Sequence, residues 1–122
     1  MTPEDVLKKY ELALSSQSWS LVQPLMHKNI CVTFSNGTFK GLEEVKTVFE
    51  SNFSSIKEEV YVISNMYWVH RSETEAVCVY NFNWRGAIDG EKCSGGGRGT
   101  SVFVCEEARW QIITEHLGPF AS

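Results

Sequence analysis

Glu115 is the residue whose type and setting most clearly favour chemistry in this chain of 122 residues. Strand alternation predicts that Ile113 and Leu117 share its face. A carboxylate on an apolar face costs several kcal/mol to bury unless it is paired, protonated or close to water. We therefore interpret Glu115 as a pocket acid whose pKa lies above the ordinary value of about 4.3. The alternative is an ion pair with Arg85 or Arg98.

The histidines and cysteines do not have metal-ligand spacing. His27, His70 and His116 are far apart, and no CxxC pair occurs. We predict no metal and no cofactor. The four cysteines are expected to be free thiols that fill the core or an interface: Cys31, Cys78, Cys93 and Cys105.

Length and composition predict one globular domain over residues 1–122, since 43% of the residues are hydrophobic and 12% aromatic. The formal net charge of −4 provides no basic surface for nucleic acid or for an anionic membrane. No apolar run approaches the ~20 residues that span a bilayer, and no secretory leader is recognisable. A cytoplasmic protein is the expectation.

Hydrophobic periodicity predicts helices first and strands afterwards. Thr2-Pro3-Glu4-Asp5 is typical of a helix start, and this first helix should run to about residue 15. A short second helix over 19–22, a strand over 30–34 and a third helix over 41–56 follow. Four consecutive long strands are then predicted over 59–70, 75–88, 93–105 and 109–117. Short links between them favour an antiparallel meander, with bulges and glycines inside the long strands.

Both faces of this sheet are expected to be partly apolar. In the strand over 75–88, Tyr80, Phe82 and Trp84 alternate with Val77 and Val79. One layer of helices covers only one face, so we predict that a second copy of the chain covers the other. The predicted homodimer interface consists of Val79, Val102, Val104, Trp110, Ile112 and His116.

The order of these elements resembles the nuclear transport factor 2-like (NTF2-like) superfamily. Residues 99–104 and 109–117 are similar to the closing hairpin of SnoaL-like domains and of the association domain of calcium/calmodulin-dependent kinases. Gly41-Leu42-Glu43 and the segment from Ser72 to Tyr80 also resemble that domain. The resemblance implies a cone-shaped α+β fold, also called cystatin-like, in which three N-terminal helices pack on a strongly curved, mostly antiparallel sheet.

A ligand pocket in the cone is a further implication of the resemblance. Strand alternation and similarity to the kinase domain together predict its lining. The predicted lining residues are Val45, Phe49, Phe53, Tyr80, Phe82, Trp84, Ser101, Phe103 and Leu117, with Glu115 among them.

The ketosteroid isomerase branch allows a test for catalysis, because its chemistry needs a general base and an oxyanion-binding tyrosine. Lys9-Tyr10-Glu11-Leu12-Ala13-Leu14 resembles that branch, and Tyr10 falls on its catalytic tyrosine. The same register carries the general base onto Phe34. Tyr10 and Glu115 are thus the candidate catalytic residues, with Glu115 or His27 as substitute acid or base.

Three functions remain open on this basis. The first is a module that binds a small, largely apolar molecule. The second is an isomerase, cyclase or dehydratase of the ketosteroid isomerase-like class. The third is an association module, although Phe82, Ser101 and Leu117 stand where the kinase domain would place arginines. An aromatic, arginine-poor cavity favours an apolar or cationic ligand, including one with a carbonyl.

Overall fold

The computed structural model describes residues 1–120, and it begins with the predicted helices. α1 comprises Pro3–Ser16, α2 comprises Trp19–Val22, and α3 comprises Gly41–Ser55. A short 3₁₀ turn, Gln23–Leu25, follows α2. The predicted start of α1 is confirmed: the Thr2 hydroxyl accepts from the Asp5 N–H at 3.1 Å, and the Asp5 carboxylate accepts from the Thr2 N–H at 2.9 Å.

Six strands form one sheet in the order β2-β1-β6-β5-β4-β3. Their bounds are β1 Met26–Phe34, β2 Gly37–Lys40, β3 Lys57–Arg71, β4 Glu75–Ile88, β5 Glu91–Glu106 and β6 Arg109–Pro119. The predicted meander β3-β4-β5-β6 is antiparallel, whereas β1 pairs with β6 in parallel. The α+β class and the curved, mostly antiparallel sheet are confirmed. Sequence periodicity missed β2 because only four residues form it.

The helices cover one face of the sheet, and the core lies between them. Val6 and Tyr10 of α1, Val45 of α3, and Phe103 of β5 are almost fully buried there. Gly99 of β5 permits this packing, because a Cβ at that position would lie 2.6 Å from the Tyr80 ring. The glycines of β5 thus make room for aromatic rings of β4. The β4–β5 register has no shift, so the bulges expected among these glycines lie in other strands.

One bulge in β6 reverses the predicted orientation of that strand's first half. Val102 pairs with Thr114 but Phe103 pairs with Ile112, so Ile113 is an extra residue. Ile112 therefore faces the helices and is fully buried, with 0% of its surface exposed. Its predicted place on the outer face, with Ile113 inside, is wrong.

Trp110 also lies on the face opposite to the predicted one, for the same reason. It pairs with Cys105, two residues beyond Phe103, and so lies on the helix-covered side. The Arg71 guanidinium stacks 5.2 Å from its ring centroid and also donates to Glu4 of α1. Trp110 thus packs under the helices and does not belong to an outer surface.

Candidate functional site

A cavity of about 290 Å³ opens between α1, α3 and the helix-facing side of the sheet. Aromatic rings form most of its wall. The lining residues are Tyr10, Leu14, Phe34, Ser35, Phe49, Asn52, Phe53, Ile56, Glu59, Tyr61, Phe82, Trp84, Gly96, Leu117, Gly118 and Pro119.

Part of the predicted lining forms this wall, and the rest lies elsewhere in the structure. Phe49, Phe53, Phe82, Trp84 and Leu117 line the cavity, as does Tyr10. The other predicted side chains lie between the sheet and the helices but are packed into the core beyond the cavity. These are Val45, Tyr80, Ser101 and Phe103, with between 0% and 3% of their surface exposed. Strand alternation predicts which face of the sheet a side chain lies on. It does not predict how far along the cone the cavity extends.

Glu115 lies beneath the cavity wall in a buried hydrogen-bond network. The Tyr10 hydroxyl donates to its Oε2 at 2.6 Å, and the Tyr80 hydroxyl donates to its Oε1 at 3.0 Å. Ser101 and Tyr80 share a further bond of 2.8 Å between their hydroxyl oxygens. Because the Tyr80 proton is directed to Glu115, Ser101 is the donor in that bond. Glu115 is 1% exposed and itself does not line the cavity.

The electrostatics of this network follow from burial. Desolvation raises the pKa of Glu115 from 4.5 to about 7, and the hydrogen bonds from Tyr10 and Tyr80 act in the opposite direction. Burial raises the pKa of both tyrosines well above 10, and the negative charge of Glu115 adds to this. Glu115 forms no salt bridge within residues 1–120, which rules out the ion pair with Arg85 or Arg98 considered from sequence.

Two polar residues of the cavity wall were missed by the sequence analysis, Glu59 and Tyr61. Both lie on the inner face of β3, two residues apart. Glu59 is partly buried, and the Gln17 side-chain amide donates to its Oε1 at 3.2 Å. Tyr61 is 8% exposed, and its hydroxyl is buried with no hydrogen-bond partner in the described residues. Glu59, Tyr61 and Ile63 stand at every second position of the strand. This spacing was the signal that could have placed Glu59 and Tyr61 on its inner face.

Neither Phe34 nor His27 supplies a general base to the cavity. Phe34, which stands where the resemblance to the ketosteroid isomerase branch places that base, lines the cavity as an apolar wall. His27 does not line this cavity. Its Nδ1 accepts from the Asn29 backbone N–H at 3.0 Å, which leaves the proton on Nε2, 2.9 Å from the Glu106 carboxylate. His27 thus has no free lone pair, and its predicted role as a pocket base is wrong.

The remaining predicted interface residues lie on the outer face of the sheet. Val79, Val102 and Val104 are partly buried there, and His116 is exposed. All four cysteines are free thiols. Residues 1–120 contain no cluster of three or more histidine, cysteine or carboxylate side chains able to hold a metal ion. No helix in this range is long and apolar enough to cross a membrane.

The fold is a cone-type α+β domain with an aromatic cavity and a buried acid beneath the cavity wall. Comparison with known proteins gives its family. The SnoaL-like domain model matches residues 4–122, so the chain belongs to the SnoaL-like domain family. A search of curated protein sequences found no match.

Three solved structures illustrate the likeness. An NTF2-like superfamily protein from Salmonella enterica is 13% identical, with a TM-score of 0.88 over 97% of this chain and 88% of that one. A candidate calcium/calmodulin dependent protein kinase II association domain from Xanthomonas campestris is 19% identical, with a TM-score of 0.83 over 95% and 84%. A cystatin-like protein of unknown function from Nostoc punctiforme is 14% identical, with a TM-score of 0.85 over 99% and 90%. At these identities the likeness concerns the fold alone.

Proposed function

We propose that the chain binds a small, largely apolar molecule in the cone cavity. The observation that carries this proposal is the wall, in which seven aromatic side chains surround a space of about 290 Å³. This volume is near the lower end of small-molecule sites and accommodates a flat ligand of one to three rings. Burial of such a ligand against aromatic faces supplies most of the affinity.

The hydrogen-bonding groups of the wall would orient this ligand. Tyr10 and Tyr61 lie at the cavity, and Glu59 is the carboxylate among the lining residues. A few polar groups in an apolar wall are typical of a binding site, because they select one orientation of the ligand.

An enzyme of the isomerase, cyclase or dehydratase type is the second candidate. Tyr10 favours it, since this residue both lines the cavity and bonds to Glu115, whose pKa is close to neutral. A proton could pass between Glu115 and a substrate through the Tyr10 hydroxyl. Binding is the better supported proposal, because both Glu115 oxygens are already bonded and Phe34 replaces the base of related isomerases.

Binding can be tested with 1-aminoanthracene, a flat and neutral probe whose fluorescence rises in apolar sites. We expect saturable binding that Asn52→Trp reduces by about tenfold or more, since Asn52 is an exposed position on the cavity wall. Ser51→Trp is the matched control, because Ser51 is exposed on the same helix but does not line the cavity. Equal binding by both variants, or none by the wild type, would contradict the proposal. Native mass spectrometry would show whether a molecule is retained.

Glu115→Gln separates binding from catalysis. It keeps the shape and much of the hydrogen bonding, so a binding module should retain its ligand within roughly 1 to 2 kcal/mol. An enzyme should lose turnover by about 100-fold while it still binds.

We also propose that the chain is a homodimer that pairs through the outer face of the sheet. Val79, Val102 and Val104 form an apolar surface there, and the neighbouring Tyr67 is 66% exposed. The helices cover only the opposite face, so a second copy would remove this apolar surface from water.

A further inference from the structure

The charges around the cavity raise the question of which ligand it favours. Glu59 is the charged residue in the described wall, where lysine and arginine are absent. A β-bulge at the start of β3 positions Glu59. Glu58 adopts a positive φ of 53°, and the β3–β4 register shifts between Lys57 and Val60. This bulge fixes Glu59 on the same face as Tyr61, so its carboxylate lies on the cavity side of the strand.

The Glu59 carboxylate lacks a cationic partner within residues 1–120. None of the salt bridges there includes it, and its hydrogen bond to the Gln17 amide involves only Oε1. Burial raises its pKa, which records the cost of holding this charge away from water. A positive charge placed in the cavity would offset that cost.

The aromatic rings of the cavity wall also favour a cationic ligand. The faces of Trp, Tyr and Phe rings carry negative electrostatic potential and attract organic cations. Phe82 stacks on Tyr61 at a centroid distance of 5.9 Å, and Trp84 pairs with Tyr61 across β3 and β4. These three side chains all line the cavity beside Glu59.

The Tyr10 hydroxyl also favours a ligand with N–H donors. While Glu115 is ionised, the Tyr10 proton is directed to it, so the Tyr10 oxygen can only accept a further hydrogen bond. The Tyr61 hydroxyl is closed to solvent, and no described residue bonds to it. A group with several N–H donors can donate to the Tyr10 oxygen and to the Glu59 carboxylate.

We propose that the ligand is an organic ammonium ion, a protonated amine on a small aromatic or aliphatic body. Glu59 would neutralise its charge, and the aromatic wall would enclose it. This inference rests on the proposed function, since it names the ligand class of the same cavity. It excludes carboxylates and phosphates, which would meet Glu59 and the buried Glu115 without a compensating cation.

Three probes of nearly equal size test this class: benzylamine, benzyl alcohol and ethylbenzene. At neutral pH benzylamine carries a positive charge with N–H donors, benzyl alcohol carries an uncharged hydroxyl, and ethylbenzene carries neither. We expect benzylamine to bind at least about tenfold more tightly than benzyl alcohol, as measured by NMR titration. Glu59→Gln should weaken benzylamine about fivefold or more while benzyl alcohol stays within about twofold. Glu58→Gln is the matched control, because it removes the same charge from an exposed neighbour outside the cavity wall.

The outcomes separate the two proposals. If benzyl alcohol or ethylbenzene binds as tightly as benzylamine, or if Glu59→Gln weakens all three equally, the ammonium inference is overturned. The proposed function then stands as long as 1-aminoanthracene binds and Asn52→Trp blocks it. If neither that probe nor any of the three binds, both proposals fail. Circular dichroism and the thermal midpoint would establish that Glu59→Gln is folded.

Discussion

The Tyr10 hydroxyl of α1 donates a hydrogen bond of 2.6 Å to Glu115 Oε2 of β6, across 105 positions of sequence. Both residues are almost fully buried, since only 1% of the surface of each is exposed. The bond therefore joins the first helix to the last strand at the base of the cavity. It also makes Tyr10 the contact between the buried acid and any bound ligand.

Tyr10→Phe should destabilise the protein, and the loss should depend on pH. The variant leaves an ionised Glu115 with only the Tyr80 donor, so we expect the free energy of unfolding to fall by about 1.5 to 3 kcal/mol at pH 8. At pH 5 Glu115 is protonated in the folded state, and the loss should be about 1 kcal/mol. Denaturant unfolding at both pH values measures this. Ser51→Ala, which removes an exposed hydroxyl outside the network and outside the outer face of the sheet, is the control and should have no effect. An equal loss at both pH values would contradict the charge-dependent role.

Glu115 should make the wild type less stable as the pH rises. Its pKa is about 7 when folded and 4.5 as the reference for the unfolded chain, so between these values the folded state binds more protons. Relative to Glu115→Gln, the wild type should lose about 2 to 3 kcal/mol of unfolding free energy from pH 5 to pH 8. The contributions of other groups cancel in this difference. Parallel stability curves for the two proteins would show that Glu115 does not titrate in this range.

Sequence patterns gave the elements of this fold well, because each long strand and helix carries its own periodicity. Glu115 was identified for a physical reason of the same kind, since a carboxylate between apolar neighbours on a strand face is costly. Its partners could not be derived in this way. Tyr10 was assigned from resemblance, and Tyr80 was placed in the cavity wall, although the structure places its hydroxyl in the network beneath that wall.

The wrong assignments in β6 have one origin. Strand alternation assumes a period of two throughout, and one extra residue at Ile113 reverses every side chain before it. No local signal distinguishes Ile112-Ile113 from a regular pair of β-branched residues. Glu59 was missed for a different reason: its spacing from Tyr61 predicts a shared face, but the place of that face at the cavity depends on the bulge at Glu58 and the close approach of β4 at Gly86.

Tyr61→Phe, unlike Tyr10→Phe, should not lower the free energy of unfolding. The Tyr61 hydroxyl is buried and has no hydrogen-bond partner among the described residues. Its removal therefore relieves a desolvation cost and should leave stability unchanged or raise it by about 1 kcal/mol. Denaturant unfolding of the ligand-free protein is the measurement. A loss of more than about 1 kcal/mol would show that a water or another group bonds to this hydroxyl.

Gly99→Ala should destabilise the network from the side of β5. A Cβ there would lie 2.6 Å from the Tyr80 ring and 2.6 Å from Leu117 Cδ2. Displacement of Tyr80 strains its bond to Glu115, and we expect a loss of about 1 to 3 kcal/mol. Gly118→Ala is the matched control, because no atom of residues 1–120 lies within 4 Å of its Cβ position. Similar thermal midpoints for the two variants would mean that the Tyr80 ring can move without cost.

The outer face should control the oligomeric state. Light scattering at micromolar concentration should give twice 13.8 kDa for the wild type. Val102→Asp places a charge in the centre of the outer apolar surface, so the variant should be monomeric while its circular dichroism is unchanged. Leu21→Asp is the control: Leu21 is 57% exposed on α2, on the opposite side of the sheet, and its substitution should leave the dimer intact. A wild type that remains monomeric as its concentration rises, or dissociation by both variants alike, would exclude pairing through this face. Ile112→Asp is unsuitable for the test, because Ile112 is buried in the core and its substitution would unfold the chain.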